Sequence, residues 1–154
     1  MPSPKKTRGG KPELEDAIVL ATRLHKGQVD KRGKPYILHP LAVMLKGKNK
    51  KERIVGVLHD TLEDCAITKE NLRKIGYSEE ILEALDILSK RTEEEKDYSA
   101  FIDRIIDSGN RLAISVKIND LRNNLDPDRF PRRPTEKDFK RRDKYLIAIV
   151  RLNK

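Results

Sequence analysis

Apolar residues recur along most of this chain at the three- and four-residue spacing of an amphipathic α-helix. Leu14, Ile18, Ala21 and Leu24 form one stripe and predict a helix over 12–25. The segment GQVDKRGKPY breaks that period with glycine, proline and alternating charge, and reads as a loop. A short helix is expected over 40–45, stopped by Gly47, and a longer one from 51 into the pair His59-Asp60. Thr68 and Ser78 have N-cap side chains for two further helices, with Gly76 as the stop between them. Ile81, Leu82, Leu85 and Leu88 give the second of these a buried face, and Phe101, Ile102, Ile105 and Ile106 mark another that ends near Gly109. In a helix over 110–125, Ala113, Val116 and Asp120 share one stripe, which puts a carboxylate on the extension of an apolar face. Asn123 and Asn124 continue that face one turn on. The turn DPDRFPRRP ends it, and Thr135 caps a basic last helix whose Phe139, Leu146, Ile147 and Val150 are expected to face inward. No segment alternates with period two, so the expected fold class is all-α.

At 154 residues, 36% hydrophobic and 38% charged, the chain suits one polar domain with a core of its own. The formal net charge of +9 adds to the picture. Lys5, Lys6, Arg8 and Lys11 lie in a Pro/Gly-rich stretch with no acid before Glu13, which reads as a disordered basic leader over 1–12 ahead of a domain over 13–154. The other cations alternate with acids along the helices, mostly as solvated surface, and their excess suits an anionic ligand. Few aromatics are present to stack bases and no nucleic-acid motif occurs, so nucleic acid is not the expected partner. No apolar run reaches the roughly 20 residues that span a bilayer, and the start lacks a secretory segment. The single cysteine, Cys65, excludes an internal disulfide and fits a reducing cytoplasm. Carboxylates precede it and discourage a thiolate, so it reads as a small buried residue beside a site.

The run VGVLHDTLED holds the candidate chemistry. Read as one helix, it puts His59 on the face of Glu63 and Asp60 on the face of Asp64, with Ile54, Leu58 and Leu62 on the apolar side. Such groups are costly to bury unpartnered, and a divalent cation would compensate them. By itself the pair leaves a metal site and a solvated helix end both open. His39 in GKPYILHP and Asp120 in VKINDLRNN supply two further stations.

The order His…His-Asp…Asp is the signature of HD-domain metal-dependent phosphohydrolases. HKGQVDKRGKPYILHPLAV, LHDTLED and VKINDLRNNL closely resemble three motifs of the hydrolase domain in RelA/SpoT-type proteins and small alarmone hydrolases, over roughly residues 13–130. The resemblance implies a single-domain HD-type helical bundle that removes the 3′-pyrophosphate of (p)ppGpp with metal-activated water. It implies one divalent ion, usually Mn2+, on His39, His59, Asp60 and Asp120. Two imidazoles and two carboxylates without thiolate suit such an ion. Glu63 and Asp64 are implied to act on the water, and Lys31 and Asn124 to meet the phosphorylated nucleotide. Arg32, in the same cationic loop, is a further candidate to meet its phosphates, with plain surface charge as the alternative. His25, the remaining histidine, reads as a packing or hydrogen-bonding residue under the loop. The chain departs from the family at Asp30, where a base-stacking arginine is usual, and at Leu121-Arg122-Asn123, where Arg-Leu-His is usual. The span from His39 to His59 also looks short for the family. Ending at Lys154, the chain is expected to hydrolyse and not to synthesise alarmone. Two alternatives stay open: an HD phosphohydrolase for another nucleotide or phosphomonoester, and a basic nucleic-acid-binding or scaffold protein with a vestigial site.

Overall fold

Side-chain caps set where the helices begin. Asn49, Thr68, Ser78, Asp97 and Asn110 each accept a backbone N–H from the first turn that follows, and each such cap is worth about 1 kcal/mol. Gly76, at φ +117°, ends one helix in the left-handed region that a side chain would disfavour. The computed structural model describes residues 10–154, so residues 1–9 of the expected leader lie outside the described range. Its α-helices are α1 (Leu14–His25), α2 (Leu38–Leu45), α3 (Lys50–Leu58), α4 (Thr61–Asp64), α5 (Lys69–Ile75), α6 (Glu79–Leu88), α7 (Tyr98–Asp107), α8 (Arg111–Asn124) and α9 (Glu136–Leu152). Among the described residues the only extended pairing is one antiparallel bridge, Val29 with Pro35, inside the loop between α1 and α2. The chain is all-α, as its periodicity predicts. None of the described helices is long and apolar enough to cross a membrane.

The centre of the bundle is α3, which packs against α1, α2, α6 and α8. Ile54, Val55, Val57 and Leu58 are all buried, so this helix is apolar around most of its circumference. Gly56 lets α2 approach closely: a Cβ there would sit 3.2 Å from the Cα and N of Met44. That approach brings the start of α2, with His39, against the end of α3, with His59.

Three expectations are corrected. The helix predicted from 51 through the His-Asp pair does not run on as one cylinder. It stops at Leu58, and Asp60, at φ −97° and ψ −3°, caps the separate short helix α4. The Thr61 hydroxyl donates to the Leu58 carbonyl (2.7 Å) across the break. His59 Nε2 faces Asp60 and Asp120. The second correction concerns α9. Phe139, Leu146, Ile147 and Val150 are exposed, Ile147 by 63%, while Ala148 and Leu152 are buried and Tyr145 and Ile149 pack on the core. The helix has two apolar stripes, and periodicity alone does not say which meets α7 and α8. The Tyr145 stripe does so because its ring closes over Tyr98 of α7, with centroids 5.8 Å apart. Cys65, expected to be buried, is only partly so.

Gly56→Ala tests the close approach. Helix propensity alone would stabilise the variant by about 1 kcal/mol, whereas overpacking backbone against backbone costs about 1–3 kcal/mol. A net loss of stability is expected, read as a lower urea midpoint at unchanged slope. A gain would mean that α2 has room to spare.

Candidate metal centre

Hydrogen bonds at the far ring nitrogens aim both histidines. His39, in the first turn of α2, has Nδ1 2.7 Å from Asn123 Oδ1 of α8, and His59 has Nδ1 2.6 Å from the Gly56 carbonyl. Both partners accept, so Nδ1 carries the proton and Nε2 is left to face the site. His59 Nε2 is buried and has no hydrogen-bond partner among the described residues. It lies 3.1 Å from Asp60 Oδ2 and 3.3 Å from Asp120 Oδ1, while His39 Nε2 lies 2.8 Å from Asp120 Oδ1 and 3.7 Å from Asp60 Oδ2. Ligands bound at about 2.1 Å and at right angles around one ion are about 3 Å apart. His39, His59 and Asp120 each offer one donor atom within 4.8 Å of the others, a mixed N/O set that suits a divalent cation. Asp60 Oδ2 stands beside it, 3.1 Å from His59 Nε2, and the orphaned His59 nitrogen is a donor that such an ion would satisfy.

Supporting groups fill the remaining valences of the carboxylates. Tyr36 donates its hydroxyl to Asp60 Oδ2 (2.5 Å), Lys117 donates to Asp120 Oδ2 (2.8 Å), and Asn124 donates to Asp120 Oδ1 (3.2 Å). Burial by itself would lower the pKa of His59, but the facing Asp60 and Asp120 outweigh it and hold the imidazolium well above its usual range. Burial would likewise raise both carboxyls. His59 beside Asp60, and Lys117 with His59 beside Asp120, hold them below the usual carboxylate range.

Glu63 and Asp64 of α4 stand beside Asp60, with one oxygen of each of the three within 4.8 Å of the others. Dehydration first, and then the neighbouring acid, pushes both Glu63 and Asp64 upward. Glu63 also accepts the backbone N–H of Lys90 (2.9 Å). All six residues line a cavity of about 250 Å3 with Tyr98, Lys117 and Arg129 in its walls. A second cavity of about 250 Å3, holding Lys31, Phe130 and Arg142, shares Tyr36, Asn124, Arg129 and Tyr145 with the first.

Lys31 therefore lines the second cavity and Asn124 lines both, whereas Arg32, expected to meet the nucleotide, lines neither. Its guanidinium donates to the Asp128 backbone carbonyl and ties the loop before α2 to the turn after α8. Asp30 accepts the backbone N–H groups of Arg32 (2.8 Å) and Lys34 (2.9 Å), so its carboxylate closes the loop. His25 is buried against Tyr36, with Nδ1 2.8 Å from Gln28 Oε1, as its packing reading expects. Sequence reasoning missed Tyr36, Lys117, Asn123 and Arg129 as parts of the site. Lys117, one turn before Asp120, had a signal in its spacing; Arg129, in an irregular turn, had none.

The cluster makes a pH prediction for chelated protein. His59, raised in the fold, contributes stability fully below its unfolded value near pH 6.5, and that contribution is lost as pH rises through the folded value. Asp60 and Asp120, lowered in the fold, contribute above about pH 3.9 and lose it as pH falls through their folded values. The cluster thus favours the fold most between those limits. A cation must displace the His59 proton, so the Tm gain on adding Mn2+ should grow as pH rises from 5 to 7.5. Thermal melts with EDTA and then with Mn2+ check this, and a gain that is flat with pH would count against ligation by His59.

No protein-family model matches the chain. A Myxococcus xanthus protein named GTP pyrophosphokinase is 33% identical over an alignment of 125 residues that covers 73% of this chain and 16% of that protein. A Borreliella burgdorferi protein named guanosine-3′,5′-bis(diphosphate) 3′-pyrophosphohydrolase is 41% identical over 78 residues, 48% of this chain and 12% of that protein. The chain thus spans only 12–16% of the length of these two relatives. A solved structure described as a metazoan orthologue of SpoT that hydrolyses ppGpp superimposes with a TM-score of 0.73 over 99% of this chain and 86% of that one, at 18% identity. At that identity the likeness establishes a shared fold. By sequence and by fold together, the chain belongs to the RelA/SpoT-type family of HD-domain proteins.

Proposed function

We propose that this chain is a metal-dependent phosphohydrolase that removes the 3′-pyrophosphate of (p)ppGpp. The observation that carries the reading is the convergence of His39, His59, Asp60 and Asp120 donors beside a cavity whose walls hold Lys117 and Arg129. The substrate comes from the named activity of the relatives. On this reading the four residues hold one Mn2+ ion, which when bound lowers the pKa of a water molecule and polarises a phosphoryl oxygen. Glu63 and Asp64 orient the attacking water and accept its proton, a task suited to carboxyls held above their usual range. Arg129 and Lys31 neutralise phosphate oxygens. Tyr36 and Asn124 keep the Asp60 and Asp120 carboxylates turned toward the ion. The nucleoside enters the second cavity, where Phe130 and Tyr145 offer aromatic surface and Arg142 stands 5.3 Å over the Phe130 ring. Cytoplasmic action follows from such a substrate and agrees with a chain holding one cysteine.

Asp30 favours a second reading, the same chemistry on another nucleotide. Position 30 carries an acid, whose carboxylate accepts two loop N–H groups, and so offers no cation to stack on a base. A panel of nucleotides with Mn2+, Mg2+ and Zn2+ separates the two readings. Release of pyrophosphate from ppGpp that requires Mn2+ supports the first. Turnover of other nucleotides with ppGpp untouched selects the second. Asp60→Ala should abolish metal-dependent turnover, and Glu63→Gln should lower kcat by about 10²–10⁴ with Mn2+ affinity within a few-fold. Full activity in Glu63→Gln would remove it from the chemistry.

A further inference from the structure

The guanidinium of Arg129 touches the metal centre and the nucleotide cavity at once. One of its N–H groups donates to Asn123 Oδ1 (2.9 Å), the same oxygen that accepts from His39 Nδ1 (2.7 Å). Among the described residues its other N–H groups have no hydrogen-bond partner, and the side chain lines both cavities. We propose that Arg129 is a two-way coupling residue: through Asn123 it fixes the ring of His39, and with its remaining N–H groups it binds a phosphate at the junction of the cavities. The phosphate half rests on the phosphohydrolase reading; the metal half stands without it.

The physical reason lies in the Asn123 amide. Turned over, it would present its NH2 to His39 Nδ1, move the imidazole proton to Nε2 and remove the lone pair that faces the site. Two donors on one oxygen, from His39 and from Arg129, hold it the right way round. Asn123 is buried, so water is a poor replacement for either donor. Arg129 is itself held. Asp126 Oδ1 accepts the Asp128 N–H (2.9 Å), and Arg32 clasps the Asp128 carbonyl from the loop that precedes His39. Arg32 is thus a positioning residue for the turn. The rigid fork of arginine serves an amide oxygen and an anion together, which the single ammonium of lysine cannot do in one geometry.

The test uses the whole chain, first as nucleotide-free protein titrated with Mn2+, then Mn2+-saturated and titrated with inorganic pyrophosphate. Arg129→Ala and Asn123→Ala should each weaken Mn2+ binding about 10- to 100-fold, and the double variant should be no weaker than Asn123→Ala alone. Arg129→Ala should also lose about tenfold in pyrophosphate affinity at saturating Mn2+, on the scale of one charge-assisted contact, whereas Asn123→Ala should not. Arg129→Lys should recover pyrophosphate affinity and not Mn2+ affinity. The exposed Arg132→Ala should change neither. Unchanged Mn2+ binding in Arg129→Ala overturns the metal half, additive single losses overturn the shared route, and full recovery by lysine overturns the fork argument. Pyrophosphate affinity unchanged in Arg129→Ala overturns the anion half. Both titrations are independent of turnover, so they remain decisive if ppGpp proves not to be the substrate.

Discussion

Two imidazoles and two carboxylates are held together inside an apolar bundle, and the rest of the structure answers to the cost of keeping them there. An ionised group without a partner in such surroundings would change its protonation or pull in water. Here each one is met. Lys117 and Asn124 address Asp120, Tyr36 addresses Asp60, Asn123 addresses His39, and the Gly56 carbonyl addresses His59. The Nε2 atom of His59, left without a hydrogen bond, points to where a cation would balance the set.

Helix packing makes that convergence possible. His39 comes from α2, the His-Asp pair from the break between α3 and α4, and Asp120 from α8. α3 touches both α2 and α8, and α2 also touches α8. A glycine in α3 sets how near α2 comes, so the geometry of the site is tied to backbone contact in the core. The break after Leu58 matters too: with Asp60 at φ −97° and ψ −3°, the chain restarts as α4, which carries Glu63 and Asp64.

The outer wall of the site comes from parts of the chain with no helical period. The loop before α2 contributes Tyr36 and Lys31, and the turn after α8 contributes Arg129 and Phe130. Arg32 ties the two together. Together with Tyr145 from α9, these segments give a cation-rich and partly aromatic entrance, which suits a phosphorylated nucleotide. Asp30 closes this loop, its carboxylate accepting the backbone N–H groups of Arg32 and Lys34.

Much of the fold was legible in the linear pattern. Caps at Thr68 and Ser78, the stop at Gly76 and the buried stripe of α6 all depend on residues within a few positions of one another, and such local physics is written into spacing. The motif order around His39, His59, Asp60 and Asp120 was legible too, because each station has a local signature. What only the tertiary structure decided depends on groups far apart in the chain. Which stripe of α9 turns inward is set by Tyr98, and whether Arg32 meets ligand or backbone is set by a turn nearly a hundred positions away. That Arg129 reaches His39 through Asn123 follows from packing alone. A helical period records that a face is apolar; it carries no record of what that face, or an irregular turn, will meet.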